Sequence, residues 1–241
     1  MIGRLIAAMS LFAFSEMSEA AEQLRIAHNQ SLPPLVEVQQ GKSVGLAIDI
    51  VRAAAGHADI EVEFVPVTIE QQMPSLKDGR ADALLSANTP ERQQLLDFSE
   101  PVLMTGGALY VRAPSPTPAS LAALAGRIVV TPRAGPLADY IRATAPGVNL
   151  VVTADYEESL ARLMSGQAEA AALNVSAGGR IANKLYPGQI TLPTIMFYEQ
   201  PFAVGVPKGQ HARALAQLST GLAAIRANGT WQQINNRWIG N

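Results

Sequence analysis

Thr89-Pro90-Glu91-Arg92 places a cation within the first turn of a helix start. Threonine suits the cap, proline the first helical position, and an acid the positive end of the helix dipole. Arginine does not, because the dipole already presents positive charge there. A bound anion would explain the placement. Guanidinium offers a carboxylate a planar two-pronged fork, and nearby backbone N–H groups would add to it. From spacing alone, a surface arginine that caps a carbonyl or pairs with Glu91 or Glu100 fits equally well.

Other chemistry is sparse. The 241 residues contain no cysteine, which excludes disulfides, thiolate catalysis and thiolate metal ligands. His28, His57 and His211 are scattered, without partners at metal-ligand spacing. His28 is read as a ligand hydrogen-bonder or as a structural histidine with satisfied nitrogens. No HExxH or phosphate-binding glycine loop occurs. Seven dispersed methionines read as core fillers. No catalytic residue, metal or cofactor is therefore expected. A net charge of −2 without a basic block argues against nucleic acid as a partner.

The elements that must position Arg92 alternate between strand and helix. "LRIAHNQ", "IEVEFVPV" and "ADALLS" read as strands, with helices in "VGLAIDIVRAAAGHA" and "IEQQMPSLKDGR". "ALYVRA" adds a strand, and the Pro/Ser-rich "APSPTPAS" breaks the pattern. The alternation restarts with strands "GRIVVT", "NLVVT" and "AEAAAL" between helices "GPLADYIRATA" and "DYEESLARLMSG". A helix interrupted by Gly178 and Gly179 follows, then the strand "PFAVGVPKG" and two C-terminal helices. Both rounds share one cadence, with "SLKDGR" before "ADALLS" and "RLMSGQ" before "AEAAALN". Two α/β lobes of parallel sheet and covering helices are expected, with sites where strand C-termini meet helix N-termini.

At the N-terminus, Arg4 precedes an apolar run from Leu5 to Phe14, too short to span a bilayer. Ser18 and Ala20 then provide small residues for a cleavage site. Residues 1–20 are read as a signal peptide cleaved near Ala20, releasing a periplasmic protein.

Five segments in order carry a resemblance: "GKSVGLAIDIVRAAA", "MPSLKDGRADALLSANTPERQQLLDFSEPV", "SLAALAGRIVV", "SLARLMSGQAEAAALN" and "FAVGVPKG" continuing to "LAAIRANGTWQQINNRWIG". Together they resemble the bacterial extracellular solute-binding proteins of family 3, the periplasmic amino-acid-binding components of ABC transporters. The resemblance covers essentially the whole mature chain. It implies an α/β, two-lobed periplasmic-binding-protein (Venus flytrap) fold of the class II type with two hinge strands. Lobe 1 would span 22–109 plus 203–241, and lobe 2 would span 110–202. It also implies a monomer that binds a small carboxylate-bearing solute between the lobes and docks on a membrane permease of an ABC importer.

By the same resemblance, Arg92 holds the ligand carboxylate. Leu32 and Ile69 stand where the family places apolar or aromatic walls, so the sandwich around the ligand is aliphatic. Ser86, Ala87, Asn88 and Thr89 are contact candidates in a loop about two residues shorter than the family form. Arg133 and Gly135 open the second lobe's helix, where Arg133 either faces the cleft or is exposed. Asn174 and Asn29 stand where α-amino-acid binders carry acids. Burying an ammonium without a carboxylate is costly, so these amides favour a carboxylate lacking a free α-amine, or an amino acid gripped differently. Two alternatives remain: an accessory or sensor protein, as for a quinoprotein dehydrogenase, and a dehydratase-like enzyme. The segment "LNVSAGG" lacks the glutamate such an enzyme would use there.

Overall fold

The computed structural model describes residues 23–133 and 136–239. The leader and Gly135 lie outside the described residues. The chain begins with β1 (Gln23–Asn29), β2 (Ser31–Leu32), β3 (Val36–Gln39), β4 (Lys42–Val44), α1 (Leu46–His57) and β5 (Glu61–Val67). A 3-10 turn leads to α2 (Gln72–Lys77), β6 (Ala83–Ala87), α3 (Pro90–Gln93), β7 (Leu96–Phe98) and β8 (Leu103–Arg112). Next come β9 (Ile128–Pro132), α4 (Leu137–Thr144), β10 (Asn149–Thr153), α5 (Tyr156–Met164), β11 (Ala170–Asn174) and α6 (Val175–Leu185). The last elements are β12 (Ile190–Thr191), β13 (Tyr198–Pro207), α7 (Ala212–Ala227) and α8 (Thr230–Ile239).

The main sheet runs β10-β9-β11-β8-β13-β6-β1-β5, with β12 beside β8 and β7 beside β13. At one end β5, β1 and β6 are parallel; at the other, β10, β9 and β11 are parallel. Strands β8 and β13 join the two parallel sets and are antiparallel to their neighbours and to each other. Hydrophobic periodicity carries no strand direction, so this mixed centre is a departure from the all-parallel expectation. Strands β2, β3 and β4 form a separate antiparallel sheet that the sequence pattern did not reveal.

The apolar residues divide accordingly. One core gathers Leu24, Ile26, Ile48, Ile50 and Ala83 with Phe202, Val204, Leu218 and Leu222. On the other side, Tyr110, Val130, Leu160 and Leu173 form one cluster, and Leu109, Val129, Ile141 and Ala172 another. Each buried Leu or Ile contributes roughly 1.5–3 kcal/mol of burial. Core membership changes between Leu103 and Ala108 along β8, and between Phe197, just before β13, and Phe202 within it.

Helix α6 is continuous, whereas Gly178 and Gly179 were expected to interrupt it. A Cβ at Gly178 would lie 2.8 Å from Leu173 Cβ and 2.9 Å from the Tyr110 ring. Close packing over the buried tyrosine favours glycine here, despite its cost of about 1 kcal/mol in a helix interior. The C-terminal tryptophans fasten α8: Trp231 donates to the Val102 carbonyl and Trp238 to Asp49.

The entry to β6 is tied to β1 by an ion pair. Arg25 donates to Asp82 from its backbone N–H, Nε and Nη2 at 2.9, 2.9 and 2.7 Å. The hydrogen bond from Arg25 is the largest cause holding the Asp82 carboxyl below its ordinary range. A depressed folded-state pKa contributes stability above the unfolded value, about 3.9, and that contribution is lost as pH falls through the folded value. Asp82→Asn should therefore lower the melting temperature at pH 7, and the gap from wild type should narrow below about pH 4. Thermal melts across pH test this; a gap of equal size at neutral and acid pH would remove the ion pair as its cause.

Candidate functional site

Strand β6 ends on Ser86 and Ala87. Ser86 is 2% exposed, and its hydroxyl has no hydrogen-bond partner among the described residues. Asn88 follows; its backbone N–H donates to the Pro201 carbonyl of β13 at 2.8 Å, and its Oδ1 accepts from Gln93. Thr89 caps α3, accepting from the Arg92 N–H at 3.3 Å, and Pro90 occupies the first turn. Because α3 is a single turn, Arg92 lies in both its first and its last turn. So short a helix has too few aligned peptides for a strong dipole. An anion at this turn would be held by the guanidinium itself.

That guanidinium is half-buried. Nη1 donates to the Ala87 carbonyl at 3.1 Å and Nη2 to Gln72 Oε1 at 3.2 Å. Gln72, at the start of α2, is only 4% exposed. No ion pair joins Arg92 to any carboxylate among the described residues, and neither Glu91 nor Glu100 fills that role. Burial lowers its pKa, yet guanidinium stays protonated in proteins. Of its five N–H donors, two hydrogen bonds to neutral oxygens hold it in place. The remaining donors and the charge have no hydrogen-bond or ion-pair partner among the described residues.

Asn29 ends β1, next to β6, and its Oδ1 accepts from the Ser31 N–H at 2.9 Å. His28 is fully buried, with Nδ1 donating to the Asn29 carbonyl and Nε2 meeting Ser43 Oγ at 2.7 Å. Since a carbonyl can only accept, Nδ1 carries the proton and Nε2 accepts from serine in the neutral ring. Burial, with Arg52 as a lesser cause, pushes its pKa down. His28 is thus a satisfied structural residue. Leu32 in β2 is half-buried against the first core, whereas Ile69 is 59% exposed on the 3-10 turn after β5.

In the other half, Arg133 follows β9 and is exposed, with its backbone N–H on the Thr153 carbonyl. Asn174 ends β11 and caps α6. Its Oδ1 accepts from the Ser176 and Ala177 N–H groups at 3.0 and 3.2 Å. Its Nδ2 donates to Thr105 Oγ1 of β8 at 2.8 Å. Thr105 pairs with Gln200 across β8 and β13, and the next residue, Pro201, receives the Asn88 N–H. One run of contacts through the two central strands therefore joins the ends of β11 and β6. Arg180 of α6 also reaches Glu37 of β3 at 3.1 Å.

Gln72 and Thr105 were not singled out from the sequence. A polar residue at the start of a helix and a threonine in a strand are common, and only burial reveals them. Among the described residues no group of three or more His, Cys, Asp or Glu is placed to hold a metal. No described helix is long and apolar enough to cross a membrane.

The model of the bacterial extracellular solute-binding proteins, family 3, matches residues 24–241. ABC transporter arginine-binding protein 1 of Escherichia coli (strain K12) is 25% identical over 246 residues, covering 98% of both chains. An ancestral arginine-binding protein bound to glutamine is similar in structure, with TM-score 0.65 and 25% identity over 91% of this chain and 98% of that one. So is a histidine kinase sensor domain with similarity to periplasmic binding proteins, at TM-score 0.68 and 27% identity over 92% and 97%. The architecture is the two-lobed Venus flytrap fold.

Proposed function

The chain belongs to the bacterial extracellular solute-binding proteins, family 3, and from that premise we propose that it captures a small carboxylate-bearing solute between its lobes for ABC-type uptake. The solute is an amino acid or a related organic acid. The Arg92 guanidinium carries this reading: it is half-buried, held by neutral oxygens, and has no carboxylate partner among the described residues. Each charge-assisted hydrogen bond it makes to a carboxylate is worth about 1.5–3 kcal/mol.

The lobes in this reading are 22–109 plus 203–241 and 110–202, with β8 and β13 as hinge strands. Support comes from the two sets of core clusters and from the change of core along β8 and into β13. A ligand that touches both lobes favours the closed state. Reversing a hundred-to-one open population needs a differential affinity of about 5.5 kcal/mol. Arg92 with Ser86 to Thr89 supplies contacts from one lobe, and Asn174, Arg133 and Gly135 from the other. Leu32 and Ile69 serve as apolar walls. Ile69, being exposed, has apolar surface left for a ligand to cover.

The protein acts as a periplasmic monomer, without catalysis, and delivers its solute to a membrane permease. The relative named as an ABC transporter binding protein supports that partner. The likeness to a sensor domain favours a second role, as sensor input.

A thermal-shift screen of the mature chain against amino acids, keto acids, dicarboxylates and aromatic acids tests the reading. A ligand at a hundred times its Kd stabilises the native state by about 2.7 kcal/mol. For a domain of this size that is a rise of roughly 5–10 °C. No shift with any carboxylate would overturn the proposal.

A further inference from the structure

Resting on the carboxylate-receptor reading, we propose that the site reads its ligand's α-position as a hydrogen-bond acceptor, which makes the ligand a 2-oxo or 2-hydroxy carboxylate rather than an α-amino acid. The valences of Asn174 point to this reading. Two backbone donors, the N–H groups of Ser176 and Ala177, converge on Oδ1. An amide nitrogen cannot accept, so these donors fix which way the amide points. Both acceptor positions of the oxygen are then engaged. One Nδ2 proton goes to Thr105 Oγ1 at 2.8 Å. What remains at Asn174 is the second Nδ2 proton, a donor. Thr105 is buried and accepts from Asn174, and its own hydroxyl proton has no acceptor among the described residues. Both residues therefore offer protons; the one acceptor left between them is the second lone pair of the Thr105 hydroxyl, and neither carries the negative charge that a buried ammonium group requires.

The surrounding charges agree. The parallel strands end on Asn29, Thr68, Asn88, Arg133, Thr153 and Asn174 or their immediate neighbours, and none of these is acidic. Nearby carboxylates are committed or exposed. Glu37 is paired with Arg180. Asp155 caps α5 through the Glu158 N–H. Glu91 and Glu199 are exposed, where water screens their pull on a cation. A buried ammonium would meet donors on one side and Arg92 on the other. A carbonyl or hydroxyl oxygen at the same position would accept from Asn174 or Thr105.

Matched pairs test the proposal by isothermal titration calorimetry on the mature chain: L-leucine against 4-methyl-2-oxopentanoate and its 2-hydroxy acid, L-glutamate against 2-oxoglutarate, and L-phenylalanine against phenylpyruvate. The expected result is at least ten-fold tighter binding of the oxo or hydroxy acid in every pair that binds. Asn174→Asp, which keeps the cap but adds a carboxylate, should move that ratio at least ten-fold toward the amino acid. An amino acid that binds the wild-type chain as tightly as its counterpart, or more tightly, overturns the proposal and leaves the carboxylate-receptor reading standing. If no member of any pair binds and the screen finds no other carboxylate, both readings fall; a screen hit with neither a 2-oxo nor a 2-hydroxy group overturns this proposal alone.

Discussion

Gly106→Ala is expected to lower the melting temperature by roughly 6–12 °C, which corresponds to about 3 kcal/mol in a domain of this size. Gly106 has φ of +152° and lies opposite Glu199, where β8 pairs with β13. A Cβ there would sit 1.8 Å from the Tyr198 carbonyl oxygen and 2.9 Å from its carbon. Both are backbone atoms of the partner strand, so relief requires the strands to part. The positive φ adds strain for any residue with a side chain. Gly107 is a built-in comparison. Its added Cβ would meet Leu137 Cδ2 at 2.5 Å and the Phe197 ring at 2.6 Å. Those are side-chain ends that can shift, so Gly107→Ala should cost clearly less. Differential scanning calorimetry of both variants decides the matter: equal losses would mean that strand separation is not what limits Gly106. Since β8 and β13 are the proposed hinge strands, Gly106→Ala should also weaken ligand binding by disturbing closure.

The contrast between those glycines marks what a sequence can and cannot show. Alternation of apolar residues exposed most strands and helices, because period 2 and period 3.6 follow from which face is buried. It could not show that β8 and β13 run against their neighbours, nor that β2, β3 and β4 form a sheet of their own. Those strands have two to four residues, too few to establish a period. Gly178 and Gly179 suggested a broken helix because propensity ignores the tyrosine beneath them. The site was legible to a similar depth. Threonine, proline and glutamate announced the turn that carries Arg92, and the amide at Asn174 was visible at a strand end. How the valences of that amide are used depends on Thr105, 69 residues away, and the support of Arg92 depends on Gln72, 20 residues away. Neither distance leaves a local trace.

Arg92→Ala should reduce ligand affinity by about 10² to 10⁴, because two charge-assisted hydrogen bonds of about 1.5–3 kcal/mol each are lost. The same change also affects the free protein. Gln72 Oε1 is buried, and its bond from Arg92 Nη2 disappears. An orphaned buried acceptor costs about 1–3 kcal/mol, so the unliganded variant should melt several degrees lower. Two further variants separate support from recognition. Gln72→Ala removes the prop but keeps the guanidinium, which still holds the Ala87 carbonyl; binding should fall less than ten-fold. Arg92→Lys keeps the charge but loses the planar fork, and its affinity should lie between wild type and Arg92→Ala. Titration calorimetry with the best ligand from the screen measures all three. Binding by Arg92→Ala within three-fold of wild type would move the carboxylate contact elsewhere, and the exposed Arg133 would become the residue to substitute next.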